Sequence, residues 1–258
     1  MSTTFSLYLE RKSTLHRLHP LTKMALTLFC LVTGVIAPGE WGAFVVFLVL
    51  IMPLAAWARV LRRFLSTVAK AVLPFAISLF LVQGFFWPEG TPILQLGPVS
   101  LKQEGLSFAI RSSGRILVIV GSFLLLTFTT RPDDLMQALR ERGVPRNITY
   151  IMLTTIQIVP RFQAKANTIL DAQRSRGLET EGGFGQRVRA LLPLIQPLLL
   201  GSIVDIEERA IALEVRAFGR EGERTSLGEL HDSQNQVVLR WLLLLATIAV
   251  VVLRFWLF

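Results

Sequence analysis

Five long apolar segments divide this sequence and constrain its fold more than any other feature. They cover residues 21–37, 41–58, 71–87, 113–129 and 237–258. A helix needs about 20 residues to cross the hydrocarbon of a bilayer, so each segment predicts one membrane-spanning helix. The chain is 52% hydrophobic and only 17% charged, which is typical of a membrane protein and not of a soluble domain.

The ends of these segments carry the residues that fix a protein in a bilayer. All five tryptophans stand at segment ends, where an aromatic belt forms at the membrane surfaces: Trp41, Trp57, Trp87, Trp241 and Trp256. Lysine and arginine cluster before the first segment and in residues 59–63. Because such clusters favour the cytoplasmic side, we expect a cytoplasmic amino terminus, a cytoplasmic segment 131–236 and an external carboxyl terminus.

The net charge of +9 is unevenly distributed. Residues 1–130 contain 11 Lys/Arg against 4 Asp/Glu, a balance of +7, whereas residues 131–236 contain 14 of each. The excess follows the ends of the apolar segments, which argues against a nucleic-acid partner and for the lipid bilayer. The lone Cys30 excludes a disulfide within the chain and a cysteine metal cluster. A cleaved signal over residues 21–37 is the less favoured alternative, since Pro38 would follow the cut.

Segment 131–236 predicts a short helix from Pro132 and then two long helices. Apolar residues recur at spacings of three and four over residues 147–176 and again over 186–218. Each long helix ends in an arginine next to small residues, and Gly177 and Gly219 are the expected terminators. Within the second helix, Asp205 and Arg209 are spaced for an i, i+4 ion pair. The apolar stretch 190–204 is short for a sixth span and contains two prolines, so we expect it to be buried or interfacial.

Three motifs give the chain a resemblance to a known family. They are Ser13-x-Leu15-His16-x-Leu18-x-Pro20-x-Thr22-Lys23, then Arg131-Pro132-x-Asp134-Leu135 with Ala138-Leu139 and Gly143-Val144-Pro145, and finally the two arginine-bearing helix ends. Together they resemble the transmembrane T component of energy-coupling factor (ECF) transporters, the membrane scaffold of vitamin- and metal-importing ABC systems in prokaryotic inner membranes.

The resemblance implies the fold and the site. It implies an all-α integral membrane protein, with membrane helices in residues 1–130 and 237–258 and a coupling domain of two long crossed helices in 131–236. In the family, a three-residue motif with a central arginine ends each coupling helix and contacts one ATPase. The matching residues here are Ser175, Arg176 and Gly177, and Val215, Arg216 and Ala217, with Arg174 as a supporting residue.

The resemblance also implies the partners. These are two ABC ATPase subunits, which bind ATP, and a membrane-embedded substrate-binding S component, so this chain would be non-catalytic and hold no cofactor. The residues support an ATPase contact, because an arginine can form two parallel hydrogen bonds to a carboxylate. The alternative is that each arginine only complements the dipole of its helix.

Other functions are less well supported by the sequence. The alternative is a permease of another ABC importer class with its own substrate path. No span carries an acidic residue or histidine near its middle, which disfavours a channel or intramembrane hydrolase. No Walker A loop is present, and His16 and His19 lack an evident third metal ligand. The substrate and the choice between a dedicated and a shared module stay open.

Overall fold

A computed structural model of the chain describes residue 13 and residues 15–88, 91–96, 99–178, 183–218 and 232–257. This part is mainly helical, with one two-stranded antiparallel sheet. Its elements are α1 (Pro20–Ile36), α2 (Gly42–Val46), a π-helical turn (Phe47–Ile51), α3 (Met52–Trp57), α4 (Leu61–Phe86), β1 (Pro92–Leu96), β2 (Val99–Lys102), α5 (Gln103–Thr129), α6 (Pro132–Glu141), α7 (Arg146–Ser175), α8 (Phe184–Val215) and α9 (Gln234–Leu257).

Three of the described helices are long and apolar enough to cross a membrane: α4, α5 and α9. Helix α1 and the helical segment Gly42–Trp57 are apolar but shorter. The chain is therefore a multi-pass membrane protein, as its composition predicts, and the count of five spans stays a prediction.

The segment Gly42–Trp57 contains a wide turn in its middle. The Met52 N–H donates to the Phe47 carbonyl, five residues back, where an α-helix would bond four residues back. Pro53 follows directly and has no N–H to donate. We attribute the π-helical turn to this proline, since a wider turn gives its ring room against the preceding carbonyls.

Two sequence boundaries differ from the structure. Helix α4 begins at Leu61, ten residues before the predicted third span, because the turn is confined to Ala58–Val60, where Arg59 has a φ of 59°. Residues 88–112, which separate the third and fourth apolar segments, contain β1, β2 and the start of α5. The Lys102 Nζ donates to the Trp87 carbonyl at 2.6 Å, which ties β2 to the end of α4.

Small residues allow the membrane helices to approach closely, as is common in lipid. Helix α4 packs against α5, and α1 packs against both α5 and α9. A Cβ added at Gly105 of α5 would overlap the Gln83 carbonyl of α4, and one at Gly121 would lie 2.8 Å from the Phe47 ring. The largest fully buried side chains of the described part include Phe64 and Phe128. These glycines therefore set the spacing around α5.

The described residues form two compact units. One contains residues 150–178 and 183–218, which are nearly all of α7 and α8, and the other contains the remaining helices, including α6. The sequence places residues 131–236 together as a cytoplasmic domain, and that placement stays a prediction.

The stretch 190–204 is part of α8, where only Leu194 and Leu198 of its described side chains are buried. The other large apolar side chains described there are exposed: Leu192, Ile195, Leu199, Leu200, Ile203 and Val204. The buried interpretation is thus wrong for the chain alone, because a pair of helices has too few neighbours to cover an apolar face on all sides. An interfacial location stays open.

Candidate functional site

The first candidate helix end, at α7, closes in a Schellman motif. The Leu178 N–H donates to the Gln173 carbonyl at 3.0 Å, and the Gly177 N–H donates to the Arg174 carbonyl at 2.9 Å. Gly177 has a φ of 89°, the left-handed conformation that this motif requires. Arg176 is therefore the last residue before the left-handed glycine that ends α7, in the position that the sequence predicts.

The end of α8 has the same geometry, but an alanine stands where the sequence predicts a glycine. The Phe218 N–H donates to the Leu213 carbonyl at 2.9 Å, and the Ala217 N–H donates to the Glu214 carbonyl at 2.8 Å. The left-handed residue is Ala217, with a φ of 52°. The expectation that a glycine ends this helix is thus wrong, and Gly219 lies outside the described residues. Alanine can adopt this conformation, at a cost of about 1–2 kcal/mol.

Both motifs are open to solvent. Arg176, Arg216 and the four residues beside them are exposed, and Val215 has 82% of its surface accessible. Among the residues that the structure describes, neither guanidinium has an ion-pair or side-chain hydrogen-bond partner. Arg174 differs, because its Nη1 lies 3.5 Å from Asp171 one turn earlier. The two arginines are thus available for contact, and the coupling role of these residues stays a prediction.

Contacts of Lys165 and Tyr150 join α7 to α8. The Lys165 Nζ donates to the Gly201 carbonyl at 2.8 Å and to the Asp205 carboxylate at 2.7 Å. The Tyr150 and Phe218 rings pack with centroids 4.7 Å apart, so the start of α7 lies beside the end of α8 and the helices run antiparallel. The predicted Asp205–Arg209 pair is wrong, because the flexible Lys165 reaches Asp205 from the other helix.

A cavity of about 240 Å³ opens beside this contact. Its lining mixes cationic and apolar side chains from both helices, with one carboxylate: Ile158, Arg161, Phe162, Lys165, Ser202, Asp205, Ile206 and Arg209. The two helices therefore touch at Lys165 and leave free space next to it.

The residues of the amino-terminal motif join the ends of three helices in the other unit. The His19 ring nitrogen Nδ1 caps α1 by accepting from the Leu21 N–H at 3.3 Å. The backbone N–H of His19 donates to the Gln236 Oε1 of α9 at 2.7 Å. The buried Lys23 Nζ donates to the Thr129 carbonyl at 2.7 Å and so closes the end of α5. The sequence disfavours a metal site at the two histidines, and the described residues contain no group of three metal-ligating side chains. In this unit the residues of the motif join the ends of α1, α5 and α9.

An ionic cluster that the sequence does not reveal lies next to this motif. Arg240, 8% exposed, donates from Nη2 to both Asp232 oxygens at 2.9 and 2.8 Å, and Arg142 lies 3.6 Å from Asp232. Burial would raise the pKa of Asp232, but these hydrogen bonds and the nearby positive charges hold the pKa below its usual range. Only the charged Arg240 inside an apolar run hints at the pair, since its partner precedes it by eight residues.

Comparison with known proteins places the chain in a family. The family model of CbiQ, described as a cobalt transport protein, matches residues 11–227. Three similar proteins carry the name energy-coupling factor transporter transmembrane protein EcfT. That of Thermanaerovibrio acidaminovorans is 31% identical over 83% of this chain and 82% of its own. That of Acidaminococcus fermentans is 29% identical over 88% and 87%. That of Bacillus subtilis is 28% identical over 83% and 84%. With both a family model over most of its length and a relative above 30% identity, the chain belongs to the CbiQ family of cobalt transport proteins.

Proposed function

We propose that this chain is the transmembrane component of an ECF-type importer and couples two ATPase subunits to a substrate-binding S component. The observation that carries the proposal is the repetition of one structure at two helix ends. Arg176 and Arg216 each occupy the last position before a left-handed residue, and both guanidiniums are exposed. The names of the relatives support the transporter class.

The chemistry of the ends of α7 and α8 suits binding to two equivalent ATPase subunits. A guanidinium is permanently charged and presents a planar fork to a carboxylate. A left-handed residue follows each arginine directly, so each guanidinium stands at the very end of its helix. A dimer of ATPases offers two equivalent grooves, and this chain offers two equivalent ends. ATP is then bound and hydrolysed by the partners, and this chain is non-catalytic and binds no cofactor of its own.

The exposed apolar side chains of α7 and α8 suggest where the S component binds. Many of their large apolar side chains are exposed, a feature that marks a protein or membrane contact: Ile148, Ile151, Met152, Ile156, Val159, Phe162, Leu199, Leu200, Ile203, Ile206 and Ile211. In the proposal, these side chains pass the movement of the helix ends to the membrane partner. The substrate stays open, since the relatives' name specifies none and only the family description mentions cobalt.

The proposal includes a membrane arrangement. Five helices cross the inner membrane of a prokaryotic cell, with the amino terminus and both arginine motifs in the cytoplasm and the carboxyl terminus outside. The exposed tryptophans Trp41, Trp57, Trp241 and Trp256 support it, because indole prefers the headgroup level.

The test is to change both arginines and measure assembly and uptake. Losing one partner of a desolvated charge pair costs about 2–5 kcal/mol, and each 1.4 kcal/mol is about tenfold in affinity. Either Arg176→Ala or Arg216→Ala should weaken ATPase binding, and the double variant should lose ATPases in a pull-down and lose uptake. Lysine at both positions should rescue only in part, since it keeps the charge without the fork.

A matched control is Arg161→Ala, which removes an exposed arginine of α7 outside both motifs. Wild-type ATPase binding and uptake by the double alanine variant would refute the coupling role and leave the arginines as dipole partners. Uptake by the chain without any S component would instead favour a permease that carries its own substrate path.

A further inference from the structure

We propose that the Lys165–Asp205 ion pair is the pivot about which α7 and α8 turn when their ends move. This inference rests on the proposed coupling function. It assigns Lys165, Asp205 and Gly201 as positioning residues that act through the contact between the two helices and do not touch an ATPase.

The ion pair has the same spacing along the chain from both arginines. Lys165 precedes Arg176 by eleven residues, and Asp205 precedes Arg216 by eleven residues (176 − 165 and 216 − 205). At about 1.5 Å per residue, each arginine lies about 16 Å along its helix from the ion pair. The ion pair is therefore followed by two arms of equal length, residues 166–176 and residues 206–216.

The two helices also show a local symmetry. An offset of 40 residues converts Arg176 into Arg216 and Gly177 into Ala217, and these residues share one backbone geometry. The same offset converts Lys165 into Asp205, and these two side chains touch at 2.7 Å. For antiparallel helices related by a two-fold axis, a residue meets its own counterpart only on that axis. The ion pair therefore marks the axis, which is where two ATPases that close symmetrically would produce rotation without translation.

The surroundings of the ion pair also suit a pivot. Lys165 holds both a backbone carbonyl and a carboxylate of α8, so it fixes position more than a single ion pair does. A Cβ at residue 201 would lie 2.7 Å from the Lys165 Nζ, so the glycine makes room for the ammonium group. The cavity of about 240 Å³ beside the pair leaves space for side chains to move as the helices turn.

The ion pair itself is a weak source of stability. The side chains of Lys165 and Asp205 are 33% and 53% exposed, and pairs this open to solvent contribute little. The role that we assign is geometric, so the test must measure the distance between the two helices directly.

The experiment uses the full chain in lipid nanodiscs with the buried Cys30 replaced by alanine. Spin labels at Ala172→Cys and Ala212→Cys, two exposed positions related by the same offset of 40, report the distance between the arms. The wild-type distribution should be narrow. Lys165→Met and Asp205→Asn should broaden or shift it, and the charge-exchanged pair Lys165→Asp with Asp205→Lys should restore much of it. Arg161→Met, which removes a charge from the same cavity, should leave it unchanged.

Gly201→Ala separates a positional role from a stabilising one. Alanine favours a helix interior by about 1 kcal/mol over glycine, so a purely structural role predicts a more stable α8 and an unchanged distance. The pivot predicts a broadened distance in spite of that gain, because the new methyl group displaces Lys165.

In the complete transporter, Lys165→Met should reduce ATP-driven uptake about three- to tenfold while the ATPases stay bound. Superimposable distance distributions for the wild type and Lys165→Met would overturn the pivot, as would loss of ATPase binding equal to that of the double arginine variant. The labels are read without ATPases. Failure of the arginine test would thus refute the proposed function without obscuring the distance result.

Discussion

The two helix ends make a reciprocal prediction, because one has glycine and the other alanine in the same left-handed position. Gly177→Ala should destabilise the end of α7, and Ala217→Gly should stabilise the end of α8. A Cβ at Gly177 would meet nothing within 4 Å, so the loss there comes from the backbone conformation alone.

The magnitude follows from two opposing terms. The left-handed conformation costs a residue with a Cβ about 1–2 kcal/mol. Glycine avoids this cost but loses more conformational entropy than alanine when it becomes ordered, which costs about 0.5–1 kcal/mol. The net change is about 0.5–1 kcal/mol at each site, with opposite signs, which is about two- to fivefold in a local opening equilibrium.

Amide hydrogen exchange measures this opening where it occurs. The reporting amides are those of Leu178 and Phe218, whose hydrogen bonds close the two motifs. Exchange at Leu178 should accelerate in Gly177→Ala, and exchange at Phe218 should slow in Ala217→Gly. As a control, Ala172→Gly in the exposed interior of α7 should destabilise that helix by about 1 kcal/mol. Faster exchange at Phe218 in Ala217→Gly would contradict the left-handed assignment.

Two further predictions concern the other unit and the orientation. Asp232→Asn should cost about 1–3 kcal/mol at neutral pH by removing two charge-assisted hydrogen bonds. Because the folded pKa is lowered, this stability is present above the unfolded pKa of about 3.9 and lost as pH falls through the folded pKa. Thermal unfolding of the variant and the wild type should therefore converge only in acid, and convergence near neutrality would count against the cluster. In a Cys30→Ala background, a cysteine at Thr91 should react with an impermeant thiol reagent in intact cells and one at Gly183 only after permeabilisation; the reverse pattern would invert the orientation.

The sequence predicts those features that depend on local chemistry. Pro132 marks the start of α6 because its fixed φ suits a first helical turn. The arginines at the ends of α7 and α8 could also be found, since a break in the apolar pattern follows each of them. Each of the five apolar segments is helical over nearly all of its described residues. Helices α4 and α5 each begin about ten residues earlier than their apolar runs.

The features that the sequence does not predict depend mainly on contacts between distant residues. The ion pair of Lys165 joins residues 40 positions apart, and no periodicity favours it over the local pair with Arg209. The strands β1 and β2 are too short for a clear alternating pattern. The left-handed Ala217 contradicts a residue preference that holds on average but costs only about 1–2 kcal/mol to violate.

The short apolar helices have a consequence for the surrounding lipid. Helix α1 has 17 residues and Gly42–Trp57 has 16, about 24–26 Å of helix, whereas α4 has 26 and α5 has 27, about 40 Å. A hydrocarbon core is about 30 Å thick. If α1 and Gly42–Trp57 both cross, this mismatch requires the bilayer to thin beside them, while the longer helices tilt or extend beyond it. A bilayer thinned on one side lowers the cost of moving polar groups across it there. Lipid thickness thus becomes a variable that should alter the rate of transport.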